Sequence, residues 1–358
     1  MKTIKLITFL ILSYTMVLSS CNEISNNKPE KNEKTGLYPI CMITDERNYE
    51  ASEGYIDASG KIIIKPQFEE AFEFSEGLAL VAFHDKYGFI DKTGKYVANP
   101  QFDWAHNFSD GMAPVEVNGK WGFIDKSGKY AISLQFDDAK GFSEGLAPVE
   151  VSGKWGFIDK SGKFIINPQF DNATSFSEEL ACVKLGRKWG FIDKKGKYKI
   201  SPQFGYAESF SENLACVSIA EEIESTRKFG FIDKNGRYII NPQFDWASSF
   251  SEGLASVCIG NWPRKWGFID KNGDFVINPQ FEDADDFSGG LAPVEYGGKV
   301  GFIDKTATYI INPRFDGPDS CDGFIGELAP VCINRHFHYI NKNGIIVWTN
   351  ECAPNFHK

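Results

Sequence analysis

The chain has 358 residues, a formal net charge of −10, 15% aromatic residues including 31 Phe, 34 Gly and 16 Pro. An acidic body of this kind argues against a nucleic-acid partner and against electrostatic attraction to anionic lipid surfaces. So much Gly, Pro and aromatic side chain, without a sustained 3.6-residue apolar period, excludes a helical bundle and indicates a β protein rich in turns.

The chain opens with an address. Met1 to Lys5 is short and basic and Leu6 to Leu18 is an apolar run of 13 residues, which together read as a signal peptide too short for a spanning helix. Leu18-Ser19-Ser20-Cys21 resembles a bacterial lipobox; the resemblance implies removal of residues 1–20, diacylglycerol on the sulfur of Cys21 and an acylated amine. Several acyl chains, at ~0.8 kcal/mol per buried methylene, make a stable anchor. Loss of Lys2 and Lys5 with the leader takes the net charge to about −12. Residues 21–35, rich in Asn, Lys, Glu and Ser, have almost nothing to bury and read as a disordered tether.

Residues 36–358 form an array. A Gly-aromatic-Ile-Asp tetrad recurs with glycines at Gly54, Gly88, Gly122, Gly156, Gly190, Gly230, Gly267 and Gly301, and a degenerate ninth copy at His338-Tyr339-Ile340-Asn341. Successive spacings are 34, 34, 34, 34, 40, 37, 34 and 37 residues, the signature of one supersecondary unit stacked on its neighbours. In the unit from Leu146, Leu-Ala-Pro-Val-Glu-Val alternates as a strand, Ser152-Gly153 turns it, and Lys154 to Asp159 returns. Lys160-Ser161-Gly162 makes a second turn, and a third strand from Lys163 to Asn167 is stopped by Pro168, which has no donor for a ladder. Each unit is therefore expected to be a three-stranded antiparallel meander. The connector from Pro168 to Glu178 spaces Phe170, Ala173 and Phe176 by three, which suits a turn or short 3₁₀ segment that plugs two rings between adjacent sheets.

The Trp-Gly pairs in Lys120-Trp121-Gly122, Lys154-Trp155-Gly156, Lys188-Trp189-Gly190 and Lys265-Trp266-Gly267 give the array its likeness: it resembles the bacterial WG repeat proteins from roughly Leu37 to Trp348. Four further copies depart at the Trp, carrying Glu53, Tyr87, Phe229 and Val300. The resemblance implies a repeat architecture, frequent in bacterial surface or exported proteins, and brings no catalytic residues with it. Nine whole meanders fit, starting at Leu37, Leu78, Met112, Leu146, Leu180, Leu214, Leu254, Leu291 and Leu328, and none is split between the termini. That framing predicts an all-β tandem repeat of nine three-stranded meanders forming an open curved or spiral solenoid, the alternative being a closed toroid or propeller-like ring.

From the first-strand Leu or Met to the tetrad Gly the distance is 10 residues in six units, but 17 in the first, 16 in the sixth and 13 in the seventh. All three insertions fall in the same hairpin loop, on one rim, and insertions in repeat proteins mark the binding face. Trp262 belongs to no repeat register and sits beside Pro263 and Arg264; with Arg264, and with Arg227 of the neighbouring loop, it reads as a binding anchor, the alternative being a Trp folded back over a sheet. The repeat tryptophans, replaced elsewhere by Tyr87, Phe229 or Val300, read as a packing slot, and Trp104 and Trp246 as caps on sheet edges.

Asp91, Asp125, Asp159, Asp193, Asp233, Asp270 and Asp304 each precede a turn and read as acceptors for turn amides rather than metal ligands; Glu144, Glu178 and Glu252 are likewise turn residues. His336 and His338 are the only close histidine pair, expected as two solvated imidazoles on a terminal cap rather than a metal site. Beyond Cys21 there are Cys41, Cys182, Cys216, Cys258, Cys321, Cys332 and Cys352, with no Cys-x-x-Cys. Buried free thiols are the expectation, with Cys182 and Cys216, one unit apart in one register, the first pair to examine for a disulfide.

No nucleophile-base pair, phosphate loop or unique acid cluster stands out from the repeats, so neither catalysis, cofactor nor metal is expected. The sequence reads as a lipid-anchored protein of the bacterial cell envelope whose array binds an envelope protein or peptide. The second reading is a carbohydrate, cell-wall glycan or capsule, held by aromatic residues; an enzyme comes third.

Overall fold

The structure, a computed structural model, describes residues 36–45, 50–219, 227–260, 263–317, 323–334 and 336–350. Its strands fall into nine antiparallel sheets, seven four-stranded and the first and last three-stranded. The fourth blade stands for the set. Leu146–Val151 pairs with Lys154–Asp159 in unbroken register, which the positive φ of Ser152 and Gly153 makes possible at the tight hairpin.

Pairing with the third strand, Phe164–Phe170, is not regular. Trp155 faces Phe170, Phe157 faces Ile166 and Ile158 faces Phe164, so two residues of the middle strand span four of the third. The bulge carries Asn167 and Pro168 down onto Gly156, where a Cβ would lie 2.6 Å from the Ile166 carbonyl oxygen and 2.6 Å from the Pro168 nitrogen. All eight tetrad glycines share this approach, at 2.5–2.7 Å from the equivalent carbonyl. Glycine here is a demand of the neighbouring strand, and proline suits the bulge because its nitrogen carries no hydrogen to point at Gly156.

The connector is a strand rather than a 3₁₀ segment. Beyond Asp171, Asn172–Ala173 runs back beside the next meander, Asn172 facing Lys184 and Ala173 facing Val183, and supplies the fourth strand of that blade. It then delivers Phe176 into the seam. That seam joins Leu146, Trp155, Phe157, Ile166 and Phe170 of one blade to Ala173, Ala181, Val183 and Ile192 of the next, with Phe176 between them. A face of large rings is thus received by a face of small residues. In eight seams the tetrad aromatic meets the connector Phe at 4.9–5.2 Å between centroids, tilted or edge-on, and each buried ring contributes ~2–3 kcal/mol.

The ninth seam closes the array. Tyr38, Ile40 and Ile56 of the first blade pack on Leu328 and Tyr339 of the last. The Glu327 amide donates to the Tyr38 hydroxyl oxygen at 3.0 Å, and the Cys41 amide to Asn350 Oδ1 at 3.1 Å. No connector precedes the first blade among the described residues; Tyr38, where the other eight units have Ala, fills that space and lies 5.7 Å from Tyr339. These contacts overturn the open solenoid of three-stranded meanders: the chain is a closed nine-bladed β-propeller, most of whose blades are four-stranded. Among the described residues no blade is shared between the two ends, and side-chain packing closes the ring.

Replacement of Gly156 by Ala should lower stability by ~3 kcal/mol or more, as strain of this kind does, whereas Gly153→Ala, with open space around it at φ +76°, should cost about 1 kcal/mol. Thermal denaturation of both variants beside the unchanged protein measures the difference; equal losses would remove the close approach as the reason for the glycine.

Candidate functional site

The chain direction sorts the loops onto two rims. The hairpins between first and second strands lie on one rim, together with the residues that start each connector; the remaining turns lie on the other. On the hairpin rim most charge is spent between blades. Lys120 Nζ reaches Asp137 Oδ1 at 2.6 Å and Lys299 Nζ reaches Asp316 Oδ1 at 2.6 Å, with Lys86–Asp103, Lys154–Asp171 and Lys228–Asp245 in the same arrangement. The second oxygen takes a hairpin amide, as from Ser152 to Asp137 at 2.6 Å and from Gly186 to Asp171 at 2.6 Å. The lysines hold Asp103, Asp137 and Asp171 below the usual carboxylate range. Such half-exposed pairs contribute ~0–1 kcal/mol each; their effect is to leave this part of the rim self-neutralised.

The sixth blade keeps this pair in Lys228–Asp245 and carries an arginine beside it. Tyr206 faces Ser218 across Tyr206–Ala207 and Ala215–Ser218, and Phe229 opens the next strand. Arg227 lies over both rings, its guanidinium 4.7 Å from the Tyr206 centroid and 5.0 Å from that of Phe229. It has no ion pair among the described residues, and burial pulls its pKa down. Among the described residues the buried Nε of Arg227 and the Ser218 hydroxyl are without hydrogen-bond partners, as is the Tyr238 hydroxyl of the same blade. Tyr206 donates its hydroxyl to Glu208 at 2.7 Å, and Ser249 of the seventh blade donates to the other Glu208 oxygen at 2.6 Å.

Of the three residues expected to bind, Arg227 is therefore packed on aromatic rings rather than held out at a loop tip, and Arg264 is exposed on the adjacent blade. Arg264 opposes burial at Cys258, whose thiol burial pushes up to about 11. Trp262 lies outside the described residues, as do residues 220–226 with Glu221, Glu222 and Glu224. The repeat tryptophans are packing residues: Trp121 and Trp155 are 9% and 6% exposed. Trp104 and Trp246 remain 42% and 39% exposed, against Tyr87 and Phe229 respectively.

The tetrad aspartates act as turn acceptors, Asp159 taking the Ser161 hydroxyl at 2.6 Å and the Ser161 and Lys163 amides. Cys182, Cys216, Cys258 and Cys332 are buried free thiols, so Cys182 and Cys216 are not paired, while Cys41 is disulfide-bonded. Cys21, Cys321 and Cys352 lie outside the described residues. No group of three or more His, Cys, Asp or Glu among the described residues is placed to hold a metal.

Sequence reasoning missed two features. On the rim opposite the hairpins, the Phe-Ser-Glu carboxylates are clamps between blades as well as turn residues: Glu144, at φ 53°, accepts the Glu179 amide at 3.1 Å and pairs with Lys194 at 2.9 Å. Glu76, Asp110, Glu178, Glu212 and Glu252 repeat this with Lys126, Lys160, Lys234, Lys271 and Lys305. The signal was legible in the Lys after the tetrad Asp of seven units, which recurs in step with these acids. The second feature is Glu53, which occupies the Trp slot of the first blade and accepts the Ala71 amide at 2.6 Å. Burial lifts its pKa from 4.5 to about 7, against the pull of that amide and with help from Glu70.

A closed ring of nine antiparallel blades is a β-propeller, and its repeated glycine, bulge and seam define a repeat class. The chain belongs to the WG-containing repeat family, whose model matches residues 54–87, 87–121, 121–155, 155–189, 189–221, 229–261, 266–299 and 301–335. Among solved structures it is similar to a eukaryotic initiation factor at TM-score 0.62 and 13% identity, over 89% of this chain and 96% of that one. That likeness is one of fold. More distant likenesses include the dihydro-heme d1 dehydrogenase NirN, at TM-score 0.45 and 13% identity over 80% of this chain and 75% of that one, and the WD40 propeller domain of Doa1, at 0.33 and 11% over 63% and 88%. No curated protein matches the chain.

A carboxyl with a raised folded-state pKa binds its proton more tightly in the fold than in the unfolded chain, so stability falls as pH rises from 4.5 to about 7 and is flat above. Glu53→Gln should therefore raise the melting temperature at pH 8, by up to ~3 kcal/mol of stability, and change it little near pH 4.5. Melting curves at the two pH values decide; a gain of equal size at both would exclude the ionised carboxylate as the cause.

Proposed function

We propose that this chain is a non-catalytic, lipid-anchored protein of the bacterial cell envelope whose propeller binds a protein or peptide partner at the hairpin rim of its sixth and seventh blades. The observation that carries the reading is Arg227. Five lysines of the same rim, the neighbouring Lys228 among them, each have a carboxylate on the next blade, whereas Arg227 lies over two rings without one, beside a buried hydroxyl without a partner among the described residues. Buried polar groups left unpaired in a native fold call for an explanation, and Arg and Tyr are enriched among binding anchors. Exposed Arg264 extends the same patch. The repeated residues are spent on seams and turns, which supports a scaffold rather than an enzyme. Attachment through Cys21 rests on the lipobox resemblance. Half-exposed Trp246, 5.2 Å from Phe229, favours carbohydrate as the second reading.

Immobilised protein carrying Arg227→Ala and Arg264→Ala should lose envelope proteins that the unchanged chain retains, while Asn118→Ala on the third blade should retain them. An unaltered set of retained proteins would sink the rim as the site, and glycan-array binding abolished by Trp246→Ala would replace the partner with a sugar. Cys21→Ser should move the protein from the membrane fraction to the soluble one; retention on the membrane would refute the anchor.

A further inference from the structure

The ninth blade departs from the repeat at two neighbouring slots. The position occupied by Lys in seven units is His336, and the glycine of the tetrad is His338. The strand pairing explains how a side chain fits there. His338 faces Thr349 and Tyr339 faces Trp348 in plain succession, so the wide bulge that crowds the tetrad glycine elsewhere is absent from the paired stretch of this blade. The space released is an open depression of about 460 Å³ lined by Ile333, Asn334, His336, His338, Thr349 and Asn350.

Residues two apart on a strand share a face, ~7 Å apart along it, so both imidazoles border this depression. His336 is exposed and His338 is half-buried. His338 Nδ1 lies 2.9 Å from the Thr349 hydroxyl oxygen, a contact that holds the ring at the depression as an outer-sphere partner holds a metal-binding histidine. A chain of net charge −10 draws cations to its surface.

We propose that His336 and His338 chelate a divalent transition-metal ion of the zinc, nickel or copper type, with water completing the coordination sphere. Imidazole nitrogens suit these ions and exclude Mg²⁺ and Ca²⁺, which require oxygen donors. The site stands on the hairpin rim but is independent of Arg227.

The test is isothermal titration of the full chain, stripped with chelator, with ZnCl₂ and NiCl₂ at pH 7.5 and with MgCl₂ for comparison. One saturable site for Zn²⁺ or Ni²⁺ and none for Mg²⁺ is expected. His336→Ala and His338→Ala should each abolish it, and Thr349→Ala should weaken it roughly tenfold. Absence of saturable binding, or binding that survives in the double variant, where His84, His106 and His357 remain, overturns the proposal. Paramagnetic broadening by Ni²⁺ of the His336 and His338 ring resonances in the unsubstituted protein provides a readout that does not depend on how the variants fold.

Discussion

The propeller depends on one close approach, the third strand of eight of its nine blades lying where the side chain of the tetrad residue would be. Because Gly156 has no Cβ, the Ile166 carbonyl and the Pro168 nitrogen come within 2.6 Å of that point, and four residues of the third strand are taken up against two of the second. The strand bends there, and the bend sets where Phe170 and the connector beyond it go. From that point the chain turns directly into the next blade, pairs with it, and lays Phe176 into the seam. A regular, unbulged third strand would leave the connector unable to do either.

The seam is one-directional: a face of Trp, Phe and Ile meets a face of Ala, Val and Ile, and no blade can bind its own copy the same way round. Head-to-tail contacts of this kind continue until they close. The rims reinforce the direction, since five hairpin-rim lysines reach the next connector's Asp, and each clamp carboxylate takes an amide from one unit ahead. At the closing seam the pattern is met with different residues, Tyr38 standing where the other units have Ala and packing against Tyr339.

The unit was readable in the sequence because its constraints are local: turn glycines, alternating strands and a proline that ends a ladder all lie within about 30 residues of each other. The fourth strand was not, because Asn172–Ala173 is only two residues long and has no alternation to read. Closure was not, because the contact that decides it lies between residues such as Tyr38 and Glu327, 289 positions apart, and those residues differ from the repeat that made the rest legible. The loop insertions were legible as hairpins of one rim, because each falls between the first and second strands of its unit. Nothing in Ser-Thr-Arg-Lys announces that Arg227 lies over Tyr206, since Tyr206 reaches it through a connector whose pairing was not foreseen.

The contrast between the two faces of a seam also fixes the number of units. Nine sheets around one axis turn by ~40° at each contact, and that wedge is made by the difference in bulk between a ring-bearing face and an alanine-bearing one. Losing one unit would require ~45° at every remaining seam, so every Phe would have to repack, while gaining one would open gaps beside all of them. A gene built from tandem copies is prone to gain or lose a copy. Here such an event is not absorbed locally, and the ring registers it at every blade, so the count of repeats behaves as a property of each repeat's own side chains.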